Sequence, residues 1–184
     1  MRVIAGKARR LQLKTLEGLH TRPTSDRIKE TLFNMITPKL IDSDFLDLFS
    51  GSGGIGIEAL SRGARSCAFV ENNNAAATCI KDNLKTTNFT DLSTVLEMDA
   101  LASIDSLEAK GMVFDIIFMD PPYNMGYEQA IIERLDKSSI IFISTIIIVE
   151  ASLETKFDFL DNTKFGIYKE KEYKTNKHVF IELT

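Results

Sequence analysis

Phe45-Leu46-Asp47-Leu48-Phe49-Ser50-Gly51-Ser52-Gly53-Gly54-Ile55-Gly56-Ile57-Glu58-Ala59-Leu60 runs from an apolar strand through a glycine cluster into a helix. A strand that passes through glycines straight into a helix has the form of the first turn of a β-α-β unit. Glycines at 51, 53 and 56 let the backbone turn sharply and come close to a ligand, and the helix start offers unpaired N–H donors. Ser50, Gly51, Ser52, Gly53 and Gly56 are therefore the candidate cradle. Taken alone, G-x-G-x-x-G is a weak signal, because a purely structural turn produces the same spacing.

Working outward, short apolar strands alternate with amphipathic segments from Asp44 onward, as in β-α-β units around a parallel sheet. Strands are predicted at 45–49, 67–70, 93–96, 113–119 and 146–149, with a closing antiparallel pair at 166–171 and 178–183. Helices are predicted at 55–62, 74–87, 101–109 and 126–136. Upstream, Thr24 or Ser25 caps a helix with Ile28, Leu32, Met35 and Ile36 at helical spacing, and Pro38 is expected to end it. Residues before it mix basic side chains with Val3-Ile4 and Leu11-Gln12-Leu13 and suit a small hairpin. The 184 residues hold one α/β domain: a basic arm and helix over 1–38, then a catalytic domain over 39–184.

The acidic residues around the loop narrow its chemistry. Glu71 ends the next strand, 20 residues after Gly51, where a carboxylate with Asn72 beside it can accept from both hydroxyls of a ribose. That suits NAD and S-adenosylmethionine equally. Asp47 separates them, since a carboxylate there repels a pyrophosphate but attracts the cationic methionine end of S-adenosylmethionine. Asp99, followed by Ala100 after the third strand, is placed to accept from an adenine amino group; capping the next helix is the competing reading.

Phe114-Asp115-Ile116-Ile117-Phe118-Met119-Asp120-Pro121-Pro122-Tyr123 sets a carboxylate, two prolines and an aromatic at the end of the fourth strand. In a doubly wound sheet that end lies beside the glycine loop. An exocyclic amine of a nucleobase is a poor nucleophile because its lone pair is delocalised into the ring. Asp120 Oδ and the Pro121 carbonyl can each accept one N–H and aim the lone pair at a methyl donor. Consecutive prolines, Pro121 and Pro122, fix φ and bring no competing N–H. Tyr123 can stack on a base turned out of its helix.

These residues make the chain similar to a known family. Leu46 to Gly53, Glu58-Ala59-Leu60-Ser61-Arg62-Gly63-Ala64, Asp120 to Tyr123, Arg22-Pro23-Thr24 with Arg27 and Glu30, and Val3-Ile4-Ala5-Gly6-Lys7 resemble the RsmD-like family. Its members are 16S rRNA guanine-N2 methyltransferases acting on guanine 966. The resemblance implies a Rossmann-like class I fold of seven strands, mostly parallel, with S-adenosylmethionine as cofactor and the small ribosomal subunit as partner. The catalytic and cofactor-binding roles carry over to Asp120 to Tyr123 and to Asp47, Gly51, Gly53, Glu71 and Asp99. One departure is Tyr173-Lys174, where the family usually has Tyr-Gly.

The net charge of −4 is unevenly spread. Residues 1–29 hold eight basic against two acidic side chains, a net of +6, which leaves −10 for the remainder. Arg2, Lys7, Arg9, Arg10, Arg22, Thr24 and Arg27 are thus the expected RNA contacts. No segment reaches the roughly 20 apolar residues that span a bilayer. The N-terminus lacks the pattern of a secretory signal, so a cytoplasmic, monomeric protein without a membrane partner is expected. Cys67 and Cys79 fall in core-like segments and imply neither disulfides nor a metal site. The rival readings are another RNA or DNA amino-methyltransferase, such as an adenine-N6 enzyme, an NAD-dependent dehydrogenase, or a non-catalytic RNA-binding module. The dehydrogenase leaves Asp47 and Asp120 to Tyr123 without a role, and the binding module accounts for the arm alone.

Overall fold

A computed structural model of the chain describes residues 1–16, 26–123 and 125–184. Arg22, Pro23, Thr24 and Ser25 lie outside the described residues, and with them the expected helix cap and two expected RNA contacts.

Seven strands form one sheet in the order β3-β2-β1-β4-β5-β7-β6. They are β1 (Asp44–Leu48), β2 (Ser66–Val70), β3 (Ser93–Leu96), β4 (Ile116–Met119), β5 (Ile146–Ser152), β6 (Phe165–Glu172) and β7 (Asn176–Leu183). The first five are parallel, and β7 runs antiparallel between β5 and β6. The helices are α1 (Asp26–Leu40), α2 (Gly54–Ser61), α3 (Asn74–Thr87), α4 (Ala100–Ala109) and α5 (Tyr127–Leu135).

Strand periodicity divides the core into two halves. Leu46, Leu48, Ile117 and Met119 face α4 and α5. Phe45, Phe69, Ile116 and Phe118 face α1, α2 and α3, and the arm's Val3, Ala8 and Leu13 join that half. Alternation also puts Asp47 on the α2 side, at the carboxyl end of a central strand.

Two local readings need correction. Helix α1 passes through Pro38 and stops at Leu40, because a proline this near the end removes only one helical hydrogen bond. Strand β4 begins at Ile116, and Val113, 43% exposed, lies before it. The strand expected from Ile146 begins there; before it Phe142 and Ile143 turn outward, and Thr145 Oγ1 donates to the Phe114 carbonyl at 2.7 Å. The hairpin expected of the arm is present: Arg2 bridges Gln12, and Val3 N donates to Leu11 O at 3.0 Å.

Candidate active site

The glycine loop sits between the ends of β1 and β2, built as the sequence suggests and braced by side chains it did not flag. Gly53 caps α2 in the left-handed region, with φ +81°, where a side chain is strained. Gly56 is needed for closeness instead, since a Cβ there would lie 2.3 Å from the Phe69 ring of β2. Phe49, at the strand end, holds φ +68° and packs edge-on to Tyr127 at 5.3 Å. A bulky residue in that region costs about 1–3 kcal/mol, a strain typical of ligand sites. Ser50 Oγ donates to the Asp47 carbonyl at 2.7 Å and accepts from Val70 N at 3.0 Å, tying the loop to both strands.

Two expected cofactor ligands already hold the loop. Asp47 is 1% exposed and accepts from Gly56 N at 3.0 Å. Burial pushes its carboxyl up to about 7, against the Gly56 hydrogen bond, and nearby Glu71 adds to the rise. It has no cationic partner among the described residues. Glu71 accepts from Gly51 N at 2.9 Å on one oxygen and from Asn73 N at 2.8 Å on the other. Each oxygen keeps further acceptor capacity, Glu71 is half-buried, and Asn72 beside it is exposed. Asp99 is exposed and caps α4 through Oδ1, accepting from Leu101 N at 2.8 Å and Ala102 N at 3.3 Å. The competing reading of Asp99 is thus realised on one oxygen, while Oδ2 remains open. Ala100, the first residue of α4, is buried beside it.

Asp120 follows β4, whose Leu48↔Met119 pairing with β1 brings it next to the loop. Burial, then the charges of Glu150 and Asp47, drive its carboxyl well above the usual range. Pro121 is buried, Pro122 exposed, and Tyr123 41% exposed. Burial, with Asp120 and Glu150 nearby, pushes the Tyr123 hydroxyl up to about 12. Behind this turn lies a polar cluster that the sequence reading missed. Glu150 on β5 accepts from Asn176 Nδ2 and contacts His178 Nε2 at 3.1 Å, and His178 Nδ1 meets the Tyr173 hydroxyl at 3.1 Å. The Tyr173 to Asn176 turn closes without a left-handed residue, so Lys174 serves where the family has glycine.

The arm is folded onto α2. Lys7 N donates to Ser61 O at 2.8 Å, and buried Asn83 donates to the Lys14 and Ser52 carbonyls at 3.0 and 2.9 Å, joining arm to loop. Not all of its cations are available for phosphate. Lys29 is fully buried against Glu58, Arg2 pairs with Asp26 at 2.8 Å, and Lys14 pairs with Asp82 at 2.9 Å. Lys7, Arg9, Arg10 and Arg27 are exposed and have no ion pair among the described residues.

A glycine loop after β1, facing an Asp-Pro-Pro-Tyr turn after β4, in a sheet whose last strand is inserted antiparallel, defines a class I methyltransferase of Rossmann-like fold. The chain belongs to the family described as Conserved hypothetical protein 95, whose model matches residues 1–182, the RsmD family of the sequence resemblance. Ribosomal RNA small subunit methyltransferase D of Haemophilus influenzae is 38% identical over 154 residues, 82% of this chain and 78% of that protein. Its Escherichia coli K12 namesake is 34% identical over 154 residues, 84% of this chain and 76% of that one. The solved structure of Escherichia coli yhhF matches with TM-score 0.87 at 30% identity, over 100% of this chain and 97% of that one.

Proposed function

We propose that the protein transfers a methyl group from S-adenosylmethionine to the exocyclic N2 amine of a guanine in 16S rRNA of the small ribosomal subunit. Methylation of ribosomal RNA rests on the family and on relatives named rRNA small subunit methyltransferases. The carrying observation is the meeting of Asp120 and its rigid prolines with the Asp47 and Glu71 carboxylates around one glycine loop. Asp47 fits a cationic cofactor: it is buried, has no counter-cation among the described residues, and favours a positive group brought beside it. Guanine suits the corner because the Asp120 oxygens and the Pro121 carbonyl accept hydrogen bonds, and guanine's adjacent N1–H and N2–H groups donate them, whereas adenine's N1 would need a donor.

Asp47 would hold the methionine end of the cofactor, Glu71 and Asn72 the ribose, and Asp99 with Ala100 the adenine, while residues 50–53 and Gly56 cradle it. When bound, the cofactor supplies an electrophilic methyl on a sulfonium. Asp120 Oδ and the Pro121 carbonyl each accept one N–H of the amine, and Tyr123 stacks on the base. Asp120, its basicity raised by burial and by Glu150, then takes the proton the amine sheds. We assign residues 1–38 to holding RNA and 39–184 to catalysis. Calorimetric titration should show S-adenosylhomocysteine binding and no NADH binding; the reverse would move the protein to another class. Mass spectrometry of rRNA from a deletion strain should show loss of one N2-methylguanine.

Two variants test the binding roles. Glu71→Ala should raise the S-adenosylhomocysteine Kd about tenfold to a hundredfold, since it removes a charged acceptor and also frees Gly51 N. An unchanged Kd would place the ribose elsewhere. Replacing Arg9 and Arg10 together by Gln should flatten the slope of log K against log salt for small-subunit binding by about 1 to 2 units. Cofactor affinity should hold, because both side chains are exposed and neither bonds to the loop. A wild-type salt slope would remove the arm from the RNA interface.

A further inference from the structure

We propose that Glu150 is a positioning residue for methyl transfer: held by His178 and Asn176, it fixes a negative charge beside the neighbouring Asp120 and so keeps that carboxylate ready for the target amine's proton. The proposal rests on the methyltransferase reading above. Val149 pairs with Met119 across β5 and β4, so Glu150 and Asp120 are the next residues on adjacent parallel strands. Glu150 is 6% exposed and His178 fully buried. Two carboxylates side by side, Glu150 buried and Asp120 half-buried, are costly, and among the described residues no lysine or arginine pairs with either. Lys177, the nearest lysine in sequence, lies over the Phe157 ring and 3.7 Å from Glu170 instead.

The clamp is ordered as a relay of fixed donors. An ionised carboxylate only accepts, so His178 Nε2 carries the proton directed at Glu150, and in the neutral ring Nδ1 then accepts from the Tyr173 hydroxyl; Asn176 Nδ2 holds the other Glu150 oxygen. A packing role alone would be met by an apolar residue, without the desolvation cost. The chemistry gives the cluster a use. As the N–C bond forms and the C–S bond breaks with its electron pair left on sulfur, the nitrogen sheds one proton, which Asp120 Oδ accepts and later passes to water. A fixed negative charge beside Asp120 favours its protonated form and so strengthens it as the acceptor.

The test uses the full-length protein, labelled S-adenosylmethionine, and small ribosomal subunits from a strain lacking the enzyme. Glu150→Gln should lower kcat about tenfold or more, with the S-adenosylhomocysteine Kd within about twofold of wild type. The acid limb of the kcat profile should move to lower pH, because Asp120 loses a neighbouring charge that raised its pKa. The other groups facing this corner, Asp47, Tyr123, Tyr173 and His178, with Glu128 beyond Tyr123, are unchanged in that variant. Glu150→Asp should restore part of kcat and return the limb. If Glu150→Gln does not fold, Tyr173→Phe, which removes one half-buried hydroxyl, should give a smaller shift of the limb in the same direction. Wild-type kcat, or a loss with an unmoved acid limb and no recovery in Glu150→Asp, overturns the proposal. Should the wild-type enzyme neither bind S-adenosylhomocysteine nor label the subunits, it is the methyltransferase reading that fails.

Discussion

The Asp120→Ala variant is expected to lose at least about a hundredfold in kcat, or about 3 kcal/mol of transition-state stabilisation, with S-adenosylhomocysteine affinity nearly unchanged. The reason lies in what Asp120 faces. It follows β4, and its carboxyl is not used by the glycine loop, whose contacts run through Asp47 and Glu71. Removing it therefore leaves the cradle intact and takes away the acceptor that orients the amine and receives its proton. Asp120→Asn should keep part of the orientation, since an amide oxygen still accepts an N–H, but not the proton-accepting step. It should sit between wild type and alanine, and nearer alanine. Single-turnover methylation of small subunits, with calorimetry alongside, separates the two effects. An alanine variant that keeps most of its kcat would remove Asp120 from the chemistry; one that loses cofactor binding in proportion would place it in the cradle instead.

How much of this was legible in sequence depended on whether a residue's role is local. The loop, α2 and the Asp-Pro-Pro-Tyr turn were readable because strand, glycines and helix are consecutive, and β-α-β order fixes which strand ends meet. Asp99 illustrates ambiguity at the same range, since a residue between strand and helix is equally suited to cap and to bind, and here one oxygen does the capping. Glu150 was invisible for the opposite reason. It ends an apolar run, where an acid usually marks the edge of a buried strand, and its partners arrive from an antiparallel strand inserted later in the chain. Lys29 counts toward the +6 of residues 1–29, yet its anion, Glu58, belongs to another helix. Charge counted along the chain cannot distinguish a cation facing water from one turned inward.

That buried pair sets the largest expected effect on stability. Glu58 is fully buried on α2, accepts three hydrogen bonds, from Ile4 N at 2.8 Å, Ala5 N at 3.0 Å and Arg62 Nε at 2.8 Å, and forms an ion pair with Lys29 Nζ at 3.1 Å. Lys29 Nζ donates to the Arg2 carbonyl at 2.7 Å. The arm is thereby fastened to the helix that opens the cofactor loop, and Gly6 passes so close that a Cβ would lie 1.8 Å from Ser61 O. Glu58→Ala leaves Lys29 buried without its anion and two backbone N–H groups without acceptors. The loss should be about 3–5 kcal/mol, since breaking a buried pair costs far more than the pair contributes. For a chain of this length that lowers Tm by about 10 °C or more. The arm should also become the first site of limited proteolysis. Glu58→Gln combined with Lys29→Met should recover a large part of the loss, because it removes both charges and keeps an acceptor for Ile4 and Ala5. A Glu58→Ala protein melting within about 2 °C of wild type would show that the arm is held by its apolar residues Val3, Ala8 and Leu13 alone.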